Sequence, residues 1–280
     1  MSTFTADTLT QAVIASAANA PNARARTLFA AAVKHLHAFV REVELTPEEL
    51  MAGIRFLTAT GQMCDELRQE FILLSDTLGV TMMVDTVAHQ NSGGATESSV
   101  LGPFFTTDAP DTATGESIAS EEKGEPLLVH GVVRSVSGEP IAGAVLDVWE
   151  TDSDGLYDTQ YAERPHPDCR GRVRTQADGT FRFRAVVPVS YPVPTDGPVG
   201  KMLLAVGRHP YRPAHLHFAI SAEGYAPLTT ALYVAGDPYL DSDAVFGVKP
   251  SLVEPVTPAP DGHVLQRDFV MDALPVLVTH

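Results

Sequence analysis

The sequence predicts a mainly β protein, with a β-sandwich core that follows an N-terminal helical region. Two observations lead to this fold class. Up to about residue 90, apolar side chains recur at helical spacing, whereas after about residue 124 short apolar runs alternate with turn residues. The 21 prolines and 21 glycines suit a chain with many turns, and strands at this spacing favour a sandwich over a βαβ fold. We therefore expect a helical region over residues 1–100 and a β-sandwich over residues 101–280.

The helical region is predicted from its periodicity and from one start signal. Apolar residues three or four positions apart form a stripe, as in Phe29, Val33, Leu36 and Val40. Thr46-Pro-Glu-Glu49 combines a capping box with proline at the first helical position, so a helix should begin there. We predict three to five helices between residues 23 and 90.

The strands are predicted from short apolar runs that are bounded by turn residues. They cover residues 127–134, 144–149, 172–175, 181–184, 202–206 and 216–220. Ala177-Asp-Gly-Thr180 separates two of these runs with a two-residue turn signal.

The charge of the chain excludes some classes of partner. With 35 acidic and 19 basic residues the formal net charge is −16, and no cluster of lysine or arginine interrupts the acidic surface. Nucleic acid and anionic membranes are therefore not expected to bind. The two cysteines, Cys64 and Cys169, form no C-x-x-C pair, and no apolar run approaches the ~18 residues of a membrane span. These features predict a cytoplasmic protein that is not associated with a membrane.

Two histidines stand two residues apart in a predicted strand, in Arg212-Pro-Ala-His-Leu-His-Phe218. Because successive strand side chains point to opposite faces, His215 and His217 share one face and could bind one metal ion. Two tyrosines in turn-rich segments, Tyr157 and Tyr191, are candidates for the remaining ligands. A phenol, with a pKa of about 10, ligates at neutral pH when a strongly polarising cation stabilises the phenolate. The residues alone favour iron(III), and they leave zinc, copper and a purely structural role open.

These residues resemble the signature of the intradiol ring-cleaving dioxygenases, which are non-haem iron(III) enzymes that act on catechols. The resemblance rests on Tyr157, Tyr191 and the histidine strand, and extends through Leu101-Gly-Pro-Phe-Phe105 and residues 138–149. Within that family, residues 191–200 and 207–213 are most similar to the hydroxyquinol 1,2-dioxygenases. The resemblance implies a β-sandwich with N-terminal helices that pair two subunits, often around a bound phospholipid.

The resemblance also implies the residues of the site. Fe(3+) would be held by Tyr157, Tyr191, His215 and His217, with Tyr191 also acting in catalysis by leaving the metal and taking a proton. Arg212 would stabilise charge that develops on the substrate. The implied substrate pocket consists of Leu73, Asp76, Val100, Leu101, Gly102, Pro103, Phe104, Val193, Pro194 and Val245. The family commonly has a glutamine fourteen residues after the second histidine, where this chain has Ala231.

The expected reaction is the cleavage of hydroxyquinol (benzene-1,2,4-triol) by dioxygen to 3-hydroxy-cis,cis-muconate, the enol tautomer of maleylacetate. We expect Tyr191→Phe and Arg212→Ala to fold normally and to lose turnover. Three alternatives remain at this point. They are a catechol or chlorocatechol 1,2-dioxygenase, a non-catalytic transthyretin-like ligand-binding module, and a zinc hydrolase that uses the two histidines.

Overall fold

Helices occupy the beginning of the chain in the computed structural model, which describes residues 4–66, 68–89, 93–164 and 166–274. Packing divides the chain into two compact units, Met1–Ala59 and Thr60–His280. The predicted division at residue 100 rests on the change from helical to strand patterning and stays a prediction.

The first unit contains helices α1 (Ala6–Ser16) and α2 (Ala23–Glu42) and most of α3 (Pro47–Gln62). The capping box predicted at Thr46 is confirmed: the Glu49 N–H donates to Thr46 Oγ1 at 3.2 Å, and Thr46 N–H donates to Glu49 Oε2 at 2.9 Å. The apolar stripe of α2 is largely solvent-exposed in the single chain, with Leu36 63% and Val40 42% exposed. Val33 is the buried member of that stripe.

The second unit contains three further helices, α4 (Glu70–Thr77), α5 (Val80–Ala88) and α6 (Pro198–Ala205). Helices α4 and α5 are joined at Gly79, whose φ of +70° favours glycine. Within the described residues no single helix is long and apolar enough to cross a bilayer, and α4 and α5 reach that character only together, across a 70° bend.

The strands of the second unit follow in the order β1 (Pro126–Ser135), β2 (Val145–Trp149), β3 (Arg170–Arg174), β4 (Thr180–Val186), β5 (Tyr191–Pro192), β6 (Tyr211–Arg212), β7 (His215–Ser221), β8 (Leu228–Val234), β9 (Val253–Glu254), β10 (Thr257–Ala259), β11 (Gly262–Gln266) and β12 (Phe269–Met271). In the described part of the chain they form two five-stranded sheets and one two-stranded ribbon.

The first sheet is built around β1. Strand β4 pairs with it in antiparallel orientation, whereas β11 and then β12 pair in parallel orientation with successive halves of its other edge. Gly131 of β1 faces the connection between β11 and β12. A Cβ on Gly131 would stand 1.7 Å from the carbonyl oxygen of Arg267 in that connection. Only glycine fits this close approach.

The second sheet has the strand order β3-β2-β7-β8-β9 and carries the two histidines on β7. One buried cluster joins the facing sides of both sheets, with Val129 and Phe183 from the first sheet and Leu146, Phe218 and Leu232 from the second. The predicted sandwich core is therefore present. The turn predicted at residues 177–180 is present, with Gly179 at φ +76°. It connects β3 of the second sheet to β4 of the first, so the two strands it joins are not paired with each other.

Two expectations need correction. Residues 202–206, predicted as a strand, lie in or directly after α6, which begins with Pro198 at its first turn. The buried carboxylate of Glu70 accepts the Val199 N–H at 3.1 Å and so caps this helix through a contact that is distant in sequence. Helical residues also outnumber strand residues in the described chain, so "mainly β" describes the core of the second unit rather than the whole protein.

Candidate metal centre

The two histidines lie on one face of β7, as their spacing predicts. Their Nε2 atoms are 3.0 Å apart, and both side chains are almost completely buried. His215 donates from Nδ1 to the carbonyl oxygen of Pro213 at 2.7 Å, which leaves the Nε2 lone pair directed at the site. Burial lowers the pKa of both imidazoles well below the usual range, and the charge of Arg212 lowers it further, so both rings are neutral.

The strand register places four side chains in one row across the second sheet. Arg170 is opposite Trp149, Trp149 is opposite His217, and His217 is opposite Ala231. Residues directly opposite each other share a face. The His217 ring therefore lies between the indole of Trp149, on which it stacks, and the small side chain of Ala231.

A tight turn positions Tyr157 in the site. Asp152 Oδ1 accepts the backbone N–H groups of Asp154 and Leu156, and Gly155 has a φ of +76°. A Cβ on Gly155 would stand 3.0 Å from that of Tyr191, so this turn packs directly against the second tyrosine.

Tyr191 lies on β5, opposite Arg212 on β6. Its hydroxyl is 2.9 Å from that of Tyr157 and 3.4 Å from Nε2 of His215. Burial raises the pKa of both phenols, although the charge of Arg212 opposes this effect. The four predicted ligands are thus brought together, and both tyrosines are protonated unless a metal cation is bound.

Arg212 is fixed on one side and reaches the ligands with the other. Its Nε and Nη2 donate to the two carboxylate oxygens of Asp243 at 3.0 and 3.2 Å, and Nη2 also donates to the Tyr233 hydroxyl at 3.2 Å. Its Nη1 is 3.0 Å from His215 Nε2 and 3.5 Å from the Tyr191 hydroxyl. The guanidinium is 3% exposed, so one edge of a buried, rigidly held cation faces the ligands.

Several predicted pocket residues line the same region. Phe104 stacks on the Tyr157 ring with centroids 4.4 Å apart, and Gly102 lies against His217, where a Cβ would be 3.6 Å from its ring. Phe104 and Pro194 border a cavity of about 460 Å³ that also contacts residues on both sides of Tyr157. The buried side chains among the predicted set are Leu73, Asp76, Val100, Val193 and Val245, and Pro103 is half-buried.

Leu101 differs from the other predicted pocket residues. Its side chain is 37% exposed and lines a separate cavity of about 340 Å³, together with residues of α5. The structure therefore does not bring the Leu101 side chain to the two histidines.

Asp76 is buried rather than a surface or capping residue. Its Oδ1 accepts from Thr81 Oγ1 at 2.5 Å, and its Oδ2 has no hydrogen-bond partner among the described residues. Burial raises the pKa of this carboxyl, while the Thr81 hydrogen bond and the charge of Arg212 oppose the shift. The Asp76 carboxyl thus retains one buried oxygen without a hydrogen-bond partner among the described residues.

Sequence reasoning missed the residues that hold the ligands in place. Trp149 stacks on His217, Asp243 and Tyr233 fix Arg212, and Arg170 binds the segment after Tyr157. Trp149 was detectable in principle, because it is the single tryptophan of the chain and ends a predicted strand. Asp243 and Arg170 are far in sequence from the groups that they contact, and no local pattern marks them.

The chain matches two family models along most of its length. The model described as "Dioxygenase" matches residues 100–273, and the model described as "Catechol dioxygenase N terminus" matches residues 22–96. The first of these alone covers more than half of the chain and contains all four candidate ligands.

Individual proteins are similar over nearly the full chain. A 6-chlorohydroxyquinol 1,2-dioxygenase of Cupriavidus pinatubonensis is 51% identical, over 94% of this chain and 96% of the relative. A solved structure of hydroxyquinol 1,2-dioxygenase from Pseudomonas putida is 49% identical with a TM-score of 0.87, covering 96% of this chain and 99% of that chain. A chlorocatechol 1,2-dioxygenase structure from Pseudomonas putida is 32% identical with a TM-score of 0.80, covering 90% and 99%.

Proposed function

This chain belongs to the intradiol ring-cleaving dioxygenases, and we propose that its substrate is hydroxyquinol, which it cleaves between the two adjacent hydroxylated carbons. In this reaction that carbon–carbon bond breaks and both atoms of dioxygen enter the product, 3-hydroxy-cis,cis-muconate, which tautomerises to maleylacetate. The observation that carries the proposal is the convergence of two buried phenols and two neutral imidazoles.

The four side chains fit a single iron(III) ion. Donor atoms about 2.0–2.1 Å from one ion, a typical metal–imidazole distance, stand roughly 2.9 Å apart at right angles and roughly 3.4 Å apart at tetrahedral angles. The spacings here are 2.9 Å between the hydroxyls, 3.4 Å between Tyr191 and His215, and 3.0 Å between the two Nε2 atoms.

The chemistry of the donors supports the same ion. The two neutral imidazoles bring their Nε2 atoms within 3.0 Å of each other, so both rings can present this nitrogen to one cation. Two phenols whose pKa is raised by burial ionise only beside a strongly polarising cation. In the described residues no group of three or more His, Cys, Asp or Glu side chains could hold a metal, so the tyrosines are needed.

Two alternatives that the sequence left open are disfavoured on these grounds. A zinc hydrolase ordinarily has histidine, carboxylate or thiolate ligands, whereas the ligand set here is half phenolic. A non-catalytic sandwich module has no need of a buried arginine whose free edge faces four metal-ligating groups. Both alternatives are also at odds with the family of the chain.

An iron(III) ion held by Tyr157, Tyr191, His215 and His217 would supply Lewis acidity to the substrate diol and the redox chemistry that lets its ring react with dioxygen. The chain would supply the proton acceptor: the Tyr191 phenolate oxygen would take one proton from the substrate diol. Arg212 Nη1 is 3.5 Å from the Tyr191 oxygen and would stabilise negative charge that develops on the substrate ring.

Substrate orientation is assigned to the pocket walls. Phe104, fixed on Tyr157, and the buried Leu73, Val193 and Val245 provide apolar surface for the ring. The free Oδ2 of Asp76 accepts a hydrogen bond from the third hydroxyl of hydroxyquinol, a group that catechol lacks. This acceptor favours hydroxyquinol over catechol and chlorocatechol, the remaining alternatives.

The proposal is tested on the purified, iron-loaded protein. Iron(III)–phenolate ligation gives visible absorption, and anaerobic addition of hydroxyquinol should shift that band because the substrate displaces a phenolate. Oxygen uptake with hydroxyquinol should then exceed uptake with catechol. A colourless protein with no bound iron would overturn the function, and a preference for catechol would overturn the substrate.

Pairing of two copies through the N-terminal helices completes the proposal. Helices α2 and α3 present a large exposed apolar surface for one chain. Its side chains are 45–63% exposed and include Leu28, Leu36, Phe39, Leu50 and Ile54. A homodimer around phospholipid acyl chains would bury it, and sedimentation combined with lipid extraction tests this. We also propose a cytoplasmic location, which the free cysteines Cys64 and Cys169 favour.

A further inference from the structure

We propose that Arg170 is a positioning residue that holds the Tyr157 phenol and the Phe104 wall of the pocket in one fixed relation. The inference rests on the proposed function, because both groups belong to that site. Arg170 acts through the backbone and side chains that carry these two rings.

The first set of contacts joins Arg170 to the ligand segment. Its Nε lies 3.0 and 2.9 Å from the two carboxylate oxygens of Asp158, the residue directly after Tyr157, and Nη2 donates to Asp158 Oδ1. Asp158 also accepts the backbone N–H groups of Thr159 and Asp168 at 2.9 and 3.2 Å. The backbone on the C-terminal side of the ligand is thereby fixed to β3.

The second set of contacts joins Arg170 to the pocket wall. Its Nη1 donates to the Phe104 carbonyl oxygen at 3.2 Å and to Thr106 Oγ1 at 2.8 Å. Phe104 in turn stacks on Tyr157, with 19° between the ring planes. One planar guanidinium therefore holds both partners of the stacked pair, each through a different edge.

A role limited to neutralising Asp158 does not account for this arrangement. Asp158 already has a second cation, because Arg164 Nε and Nη2 donate to its Oδ2 at 2.9 and 2.7 Å. Burying a second guanidinium, 1% exposed, costs desolvation energy that charge balance alone does not require. The geometry is accounted for by the fork of donors that reaches Asp158 and Phe104 at once, which an ammonium group cannot do.

The position of Arg170 in the sheet extends its influence. It stands opposite Trp149, which stacks on His217. Arg170, which positions the Tyr157 segment, therefore lies in the same cross-strand row as His217. A shift of Arg170 would move one ligand relative to the other.

The test compares Arg170→Lys with Arg172→Lys. The first variant keeps the buried charge and loses the fork. The second changes an arginine two positions along β3, whose Nε donates to Asp147 at 2.8 Å. Near-ultraviolet circular dichroism and thermal unfolding of both variants establish that they fold. The readouts are the wavelength of the visible phenolate band, the iron content, and KM and kcat measured separately.

We expect Arg170→Lys to shift the band and to lower kcat/KM by about tenfold, the usual size for a residue that supports a metal ligand. Arg172→Lys should leave both unchanged. An Arg170→Lys protein that is folded and iron-loaded, with the wild-type band and kinetics, would overturn the inference. Wild-type protein without iron or ring cleavage would instead overturn the proposed function.

A second variant keeps the inference testable if Arg170→Lys does not fold. Thr106→Val removes one acceptor of Nη1 and leaves the Asp158 contacts intact. It should raise KM for hydroxyquinol by about threefold, the effect of one ordinary hydrogen bond, with the band and kcat unchanged. An unchanged KM would remove the link from Arg170 to the pocket wall and overturn the proposal.

Discussion

The imidazole of His217 lies flat on the indole of Trp149, with 4.8 Å between ring centroids and 2° between ring planes. The two residues are direct partners on β2 and β7, so the sheet register itself sets this contact. Phe105 packs edge-on against the same indole, with 5.0 Å between ring centroids. The orientation of one proposed metal ligand is thus determined by packing on its ring face.

Replacing Trp149 by leucine should weaken both the fold and the metal site. The large buried ring leaves a cavity, and we expect the free energy of unfolding to fall by roughly 3 kcal/mol. His217 also loses the surface that fixes its ring, so iron affinity should fall by about tenfold. Urea denaturation and iron titration measure the two effects. In the control Phe105→Leu, which contacts the indole and not His217, stability should fall while iron affinity is retained.

Tyr191→Phe should fold normally and lose turnover. The phenyl ring keeps the buried packing, and only the hydroxyl that contacts Tyr157 and His215 is removed. Loss of a positioned proton acceptor lowers rates by roughly 10²–10⁴-fold. Stopped-flow measurement of oxygen consumption, with the visible spectrum as a check on iron ligation, tests this. Tyr225→Phe, at a tyrosine that packs against the sandwich core, should leave kcat unchanged. Normal turnover by Tyr191→Phe would remove its assigned role.

Arg212→Ala should be less stable than the sequence alone suggested. The sequence predicts normal folding, but the structure shows Arg212 buried against Asp243, which would be left as an unpaired buried charge. Breaking such a pair costs about 3–5 kcal/mol. The double variant Arg212→Met with Asp243→Asn removes both charges and should recover much of that loss. Neither protein should turn over hydroxyquinol; a double variant as unstable as the single one would contradict this account.

Asp76→Asn should reduce the preference for hydroxyquinol over catechol. The carboxylate accepts a hydrogen bond from the third hydroxyl in our proposal, and a hydrogen bond to a charged group is worth about 1.5–3 kcal/mol. The ratio of kcat/KM for the two substrates should therefore fall by roughly 10–100-fold, mainly through hydroxyquinol. An unchanged kcat/KM ratio would show that Asp76 does not select between the two substrates.

The same carboxyl predicts a pH dependence of stability. Its pKa in the folded protein is raised, chiefly by burial, above the ordinary value of 3.8. The folded state then binds more protons than the unfolded state, so the contribution to stability is complete below pH 3.8 and is lost as pH rises through the folded pKa. Compared with Asp76→Asn, the wild type should lose unfolding free energy as the pH rises from about 4 towards neutrality. Parallel curves for the two proteins would contradict this.

The sequence by itself determined the local features of this protein. Strand alternation puts His215 and His217 on one face, and Thr46 to Glu49 begin a helix, because these properties depend on residues only two or three positions apart. It missed α6, whose residues read as an apolar strand run, because the helix is capped by Glu70 from more than 120 residues away in the chain. The sequence can specify such a contact only through the complete fold.

The tertiary structure decided how the ligands are held and what surrounds them. Three contacts hold the site together, and each joins residues from different strands or loops. Asp243 binds Arg212, Trp149 stacks on His217, and Arg170 binds the segment after Tyr157. Burial is also a property of the whole fold: it neutralises the two histidines, and it raises the pKa of both tyrosines and of the Asp76 carboxyl. The residue types thus set which chemistry is possible, and packing set the protonation and geometry on which that chemistry depends.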